Sequence, residues 1–289
     1  MKLFSLTLIS FLVFTVFAHG EATTPTPQAA APSEAEAVIS GKVMIKGKSP
    51  MAYGIVLMFN KDYGPPPHPY RYWRIPDLIN GTDKNGNFSV IVPEGTYYLM
   101  IAQKKPGGEI GPPKEKEFLY FHGDAKGNAT PITVTSGARV NLGMLTKSFE
   151  WSPKMVSQDK NVTAIEGVVA DMNGMPIEHA VVFAYLNPEA VGRPAFVSDR
   201  TKKNGSYQLR VYEGSTYYLK VRSVIGGGAP EAGEFQSAAK GIPPVEVVVS
   251  TGQQLKDVTL KVEPFSGKGS TGVEKPAKIW KNTGTLQSK

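Results

Sequence analysis

The chain has 289 residues, 41% of them apolar, which suffices for two domains with cores of their own. Its formal net charge of +7 is that of an ordinary solvated surface, and no nucleic-acid partner is expected. The absence of cysteine excludes disulfides, thiolate catalysis, cysteine-ligated zinc and covalently attached c-type haem.

Residues 1–22 have the outline of a secretion signal. Lys2 supplies the positive start, Leu3 to Phe17 an apolar run, and Val16-Phe17-Ala18 a small-residue cleavage site. The run is shorter than the ~20 residues of a spanning helix, and no cysteine follows it to carry a lipid. An exported protein is expected, periplasmic or at the cell surface, whose membrane contact is limited to the signal. Export without disulfides suits a bacterial or archaeal host. Residues 23–37 (TTPTPQAAAPSEAEA from Thr23) read as an extended Pro/Ala-rich linker.

From residue 38 the chain repeats itself. Ile39-Ser-Gly-Lys-Val matches Ile165-Glu-Gly-Val-Val, Pro50 matches Pro176, and Ile55 to Phe59 matches Val181 to Tyr185, all at an offset of 126 residues. The stretch from Asn85 to Leu99 (NGNFSVIVPEGTYYL) returns as Asn204 to Leu219 at an offset of 119–120. The predicted domains are therefore 38–148 and 164–263, with a link at 149–163 and a lysine-rich tail at 264–289. The shorter second offset reflects an insertion in the first copy, Lys61 to Arg74.

Within each copy the pattern is that of strands. Tyr207, Leu209 and Val211 alternate with Ser206, Gln208 and Arg210, and Tyr217, Leu219 and Val221 with Tyr218, Lys220 and Arg222, giving one buried and one wet face. Asn85-Gly86 and Asn204-Gly205 are two-residue turns. Pro93-Glu94-Gly95 and Glu213-Gly214 make a second reversal, so each stretch reads as a hairpin. Val181 to Leu186, apolar throughout, reads as a central strand. The fold class is all-β: two tandem seven-stranded antiparallel β-sandwiches.

The motifs Gly167-Val-Val, Gly174-Met-Pro176, Ala180-Val-Val182, Asn204-Gly205 and Gly214-Ser-Thr-Tyr-Tyr-Leu219 resemble the carboxypeptidase regulatory-like (prealbumin-like, transthyretin-like) domain. Gly41-Lys-Val43, Pro50, Asn85-Gly86 and Gly95-Thr-Tyr-Tyr-Leu99 carry the same resemblance in the first copy. It implies a seven-stranded sandwich serving as an accessory, adhesive or ligand-presenting module, without catalysis.

No catalytic constellation assembles from the residues. His68, His122 and His179 stand apart and begin no H-x-x-E or H-E-x-x-H pattern, so no zinc peptidase is expected. The Tyr-Arg-Gly-Ser ending that a hydroxyisourate hydrolase would carry is absent, and the chain closes Thr-Leu-Gln-Ser-Lys. The acid that promotes Lys–Asn bonds in collagen-binding B-type sandwiches is replaced by Ile101 and Val221. Asp83-Lys-Asn85-Gly-Asn87 is a turn rather than a calcium loop, because Phe88 stands where such a loop needs glycine. No metal or cofactor is expected.

Two features point to recognition. In the insertion, four prolines stiffen the chain, and Tyr70, Arg71, Tyr72, Trp73 and Arg74 bring rings and guanidinium groups that stack and hydrogen-bond. On the outer face of the first-copy hairpin, Ile91, Tyr98 and Met100 stand where the second copy has Arg210, Tyr218 and Lys220. That face is expected to be covered by the insertion, the second domain or another protein. The sequence thus predicts a secreted, non-enzymatic binding or assembly module. Its partner is an exported protein or a surface glycan, met through the first domain, with the second domain a solvated spacer. An accessory subunit of an exported hydrolase and a passive surface spacer are the alternatives.

Overall fold

The computed structural model describes residues 36–104, 110–156, 162–226, 230–237 and 243–266. The secretion signal, nearly all of the Pro/Ala-rich linker, residues 157–161 of the link and the tail beyond Ser266 lie outside the described residues.

The first copy runs β1 (Ala37–Ile45), β2 (Ser49–Pro50), β3 (Ile55–Asn60), β4 (Trp73–Arg74) and β5 (Leu78–Gly81). It continues with β6 (Asn87–Val92), β7 (Gly95–Ala102), β8 (Phe118–Phe121), β9 (Ile132–Val134) and β10 (Arg139–Leu145), and β11 (Phe149–Glu150) follows in the link. The second copy comprises β12 (Thr163–Asp171), β13 (Val181–Tyr185), β14 (Phe196–Val197) and β15 (Ser206–Val211). It closes with β16 (Ser215–Arg222), β17 (Phe235–Gln236), β18 (Val245–Val249) and β19 (Gln254–Pro264).

Each copy is a two-layer sandwich. In the first, β1 lies between β10, to which it is parallel, and β6, to which it is antiparallel. The facing sheet places β3 between β5 and β7, with β8 and β9 sharing the far edge of β7. The second copy repeats this with β12 between β19 and β15, and β13 between β14 and β16. The alternating residues fill the two interiors as expected: Ile39, Met58, Val90, Tyr97 and Leu99 in one, Ile165, Val182, Leu209, Tyr217 and Leu219 in the other. Each such side chain contributes about 1.5–3 kcal/mol when taken fully out of water.

The repeated stretches are not hairpins. β6 pairs with β1 and β7 with β3, so Pro93-Glu94-Gly95 carries the chain from one sheet to the other, and Tyr212-Glu213-Gly214 does the same between β15 and β16. Both corners are held alike. The Tyr97 hydroxyl donates to the Pro93 carbonyl over 3.0 Å and the Tyr217 hydroxyl to the Glu213 carbonyl over 2.8 Å. Turn residues and alternation specify a reversal and an inward face, and a sheet-to-sheet corner meets both conditions as well as a hairpin does.

The two sandwiches share a third apolar cluster. Phe59, Tyr98, Met100, Ala102 and Leu119 of the first meet Val181, Phe183 and Val197 of the second, with Trp73, Ile75 and Trp151 between them. The outer face of β7 is thus covered by the second sandwich and the insertion, and the strand is buried on both sides from Tyr97 to Ala102. β4, carried on the insertion, continues the second sandwich's sheet: Trp73 stands opposite Val197 and Arg74 opposite Phe196. The second copy is therefore a docked partner of the first rather than a solvated spacer.

Candidate functional site

The insertion begins where Asn60 closes β3. Its side-chain oxygen accepts the Asp62 N–H over 2.8 Å and starts a short 3-10 turn, Lys61–Tyr63. The proline run then returns the chain to β4, and Arg74 ties the loop shut. Its guanidinium donates to the carbonyls of Asn60 (2.7 Å), Gly64 (3.1 Å) and Pro65 (2.7 Å), and to the Asp77 carboxylate (2.8 Å). From the second sandwich, Arg193 reaches the other oxygen of the same carboxylate and donates to the Asp77 carbonyl over 3.1 Å. The Asp77 side chain is 4% exposed and that of Arg193 34%, so two guanidiniums share one carboxylate at the edge of the buried junction. Burial, reinforced by Arg193, lowers the Arg74 pKa to about 10, which leaves it cationic at neutral pH.

Next to this clamp, the Trp73 indole donates to Asp199 over 3.0 Å, and Asp199 also receives Arg210 at 3.3 Å. Arg210, on the face expected to be wet, is only 4% exposed. Tyr72 packs edge-on against Phe196 and Tyr212, each with centroids 5.6 Å away, and belongs to the second sandwich's core. Its hydroxyl donates to the Pro66 carbonyl over 2.6 Å. Burial, with Arg71 adding to it, lowers the His68 pKa to about 4, and the neutral ring accepts the Tyr70 N–H at Nδ1 over 3.2 Å.

The opposite rim is the loop between β13 and β14. Asn187 brackets it, exchanging hydrogen bonds with the Val191 carbonyl (3.0 Å) and N–H (3.1 Å). Lys220 donates to the carbonyls of Glu189 (3.2 Å) and Ala190 (2.8 Å), so its ammonium holds the loop that carries Arg193. Burial lowers the Lys220 pKa.

These elements enclose a cleft of about 640 Å³ between the sandwiches. Leu57, Phe59, Met100, Ala102 and Leu119 form one wall, and Phe183, Tyr185 and Val197 the other. The insertion closes one end through Pro67, His68 and β4, while Ile110–Pro113 and Ile225 stand at another part of the lining. Exposed Tyr63, from the insertion, and exposed Leu186 and Val191, from the β13–β14 loop, are the large apolar side chains presented by the two segments that carry the clamp. Volume and lining are those of a ligand pocket at a domain junction.

Of the residues singled out from the sequence, Tyr72, Trp73, Arg74 and Met100 line the cleft, and Tyr98 is buried in the cluster behind it. Tyr70 is half-buried against Phe149, with centroids 6.0 Å apart, and Arg71 is half-buried beside it in sequence. Ile91 is apart from these. It is 40% exposed on β6, on the sheet opposite the one that carries Met100, which is 3% exposed, so the three residues do not form one face. Asp77, Arg193, Val191 and Phe183 went unnoticed in the sequence, where nothing links a carboxylate of the first copy to an arginine of the second. Asp83 takes the N–H groups of Asn85 and Asn87, both at 2.8 Å, and the Asn87 side-chain amide at 2.9 Å, so its oxygens are used by its own turn. Among the described residues, no three histidine or acidic side chains gather where they could hold a metal ion.

No family model matches the chain, and no curated protein matches it significantly. Among solved structures it is similar to the Bacillus anthracis TIE protein (10% identity over 80% of this chain and 34% of that one, TM-score 0.25). It is also similar to a Streptococcal ancillary pilin (13% identity, 80% and 63%, TM-score 0.23). A third is the shaft pilin spaA from Lactobacillus rhamnosus GG (10% identity, 80% and 99%, TM-score 0.22). The chain spans about a third of the first of these proteins and less than two thirds of the second.

Proposed function

We propose that this chain is a non-enzymatic, exported recognition and assembly module of the cell surface. In this reading each sandwich is a carboxypeptidase regulatory-like domain, and the partner, an exported protein or a surface glycan, is met at the cleft between the two. The observation that carries the reading is the strand that the first copy contributes across the junction. A segment present only in the first copy is built into the sheet of the second. The two domains thereby share an apolar cleft that neither would form alone. The groups that converge there bind and position; no nucleophile stands beside a base among them.

The test is capture from the exported fraction of the native host by the immobilised chain, with bound proteins, glycans and lipids identified. It is run beside a variant carrying Tyr63→Ala, Leu186→Ala and Val191→Ala. These three side chains are exposed, so the variant keeps its fold. Saturable capture lost in the variant is the expected result. Capture that the variant leaves unchanged would move recognition away from the two segments that carry the clamp, and no capture by either form would support the passive spacer.

A further inference from the structure

The interior of the cleft differs from its rim, and its chemistry is more specific. Its two walls are hydrocarbon and aromatic: Leu57, Phe59, Met100 and Leu119 face Phe183 and Val197. The charged side chains of the lining are Arg222, which pairs with Glu234 at 3.5 Å, and Arg74 and Arg193, which flank a single carboxylate, Asp77. Two cations against one anion leave one positive charge beside an apolar cavity, and burial disfavours that charge. The downward shift of both guanidinium pKa values by burial reports the same cost. Arg193 is the more open of the pair, and it is carried on a loop already fixed by Asn187 and Lys220. An incoming anion would meet a donor whose position is set beforehand.

We infer that the cleft binds a single-chain anionic amphiphile, its hydrocarbon tail between the two sheets and its head on Arg193. This rests on the reading of the cleft as the recognition site and adds what its interior accepts. An anionic head with one acyl tail is the chemistry of a free fatty acid and of an anionic lysolipid alike. Apolar burial favours the tail in proportion to the area removed from water. The charge-assisted hydrogen bonds of a guanidinium to a carboxylate or phosphate select the head. A cationic amphiphile of equal length gains the first contribution and is repelled at the second.

The experiment titrates the purified chain with palmitate and with palmitoyl-lysophosphatidylglycerol, beside butyrate and cetyltrimethylammonium, by calorimetry below their micellar concentrations. Saturable 1:1 binding of one or both long-chain anions is expected, with butyrate silent and the cation weaker by roughly tenfold or more. Which anion binds more tightly tells the free acid from the lysolipid. Arg193→Gln should weaken the anion by roughly tenfold and Arg193→Lys much less, because the charge persists. Ala102→Phe, which fills the cleft, should abolish binding. Because that variant risks the fold, the site is also located without it. A doxyl-labelled stearate should quench Trp73 in a Trp151→Phe, Trp280→Phe chain. No saturable binding of either anion, equal binding of the cation, or an unquenched Trp73 would overturn the inference. Failure here with rim-dependent capture intact would remove the ligand class and leave the recognition site standing.

Discussion

Trp73, on the insertion of the first sandwich, donates its indole N–H to the Asp199 carboxylate of the second across 3.0 Å. The same ring lies 5.7 Å from Trp151, so one side chain joins a polar contact to the apolar cluster of the junction. Trp73→Phe should cost about 1–2 kcal/mol, through the lost hydrogen bond and a smaller ring. Trp73→Ala should cost about 3–5 kcal/mol, because nothing refills the space. Urea unfolding followed by far-ultraviolet circular dichroism measures both.

Asp77 is the shared anion of the clamp, and its removal leaves the Arg74 guanidinium buried without a counter-charge. Asp77→Ala is expected to destabilise the protein by about 3–5 kcal/mol. Arg193→Ala should cost less, since that side chain is partly open to water and its loop is held independently by Asn187 and Lys220. Equal losses in the two variants, measured by urea midpoint, would mean that the clamp is not asymmetric in this way.

Gly41 and Gly167 occupy the same position in the two copies, yet their surroundings differ. A Cβ at Gly167 would collide with the Val258 backbone where β12 and β19 shift register. At Gly41 the nearest atoms it would meet are the edge of the Phe88 ring, at 3.0 Å, and the Gly143 carbonyl oxygen, at 3.2 Å. Gly167→Ala should therefore cost about 2–3 kcal/mol, since backbone cannot step aside, and Gly41→Ala clearly less, since a ring can tilt. Thermal melting of the two variants checks the order.

His68 has a folded pKa of about 4 against an ordinary 6.5, so the unfolded chain binds the proton more readily. Its contribution is nil above pH 6.5, turns unfavourable as pH falls through 6.5 towards 4, and levels off below that. Burial pushes His122 down as well, which adds in the same direction. Stability should fall between pH 7 and pH 4.5, and His68→Gln should flatten that fall. Urea midpoints at the two pH values, compared between the natural chain and the variant, give the answer.

The repeat and its inward faces were legible in the sequence because they are local. Tyr217, Leu219 and Val221 alternate as a buried face must, and all three sit in the second core. The pairing of strands was not legible, since a turn such as Pro93-Glu94-Gly95 is compatible with a neighbour in the same sheet or in the facing one. Tyr98 and Met100, two of the three residues expected to need cover, are buried under another part of the same chain, whereas the third, Ile91, is exposed on the opposite sheet. Arg210 looked solvated because it alternates with the inward-facing Leu209 and Val211, and it is buried against Asp199, which is also engaged by the insertion through Trp73. The sequence marked Tyr72, Trp73, Arg74 and Met100 of the lining but not the cleft they share, because its walls come from residues as far apart as Leu57 and Ile225 and meet only once the domains dock.

The docked arrangement of the two sandwiches is what the cleft and every proposal about it depend on. The chain has no cysteine, so Lys48→Cys and Lys203→Cys, both exposed and one in each sandwich, give a unique pair for spin labels. The most direct measurement is the distance distribution between those labels by pulsed electron paramagnetic resonance, in the otherwise natural chain and with Trp73→Ala and Arg193→Ala added. A single narrow distribution that broadens in the second chain is the expected result. A broad distribution already present in the first chain would show that the sandwiches are not held together, and the cleft would cease to be a site.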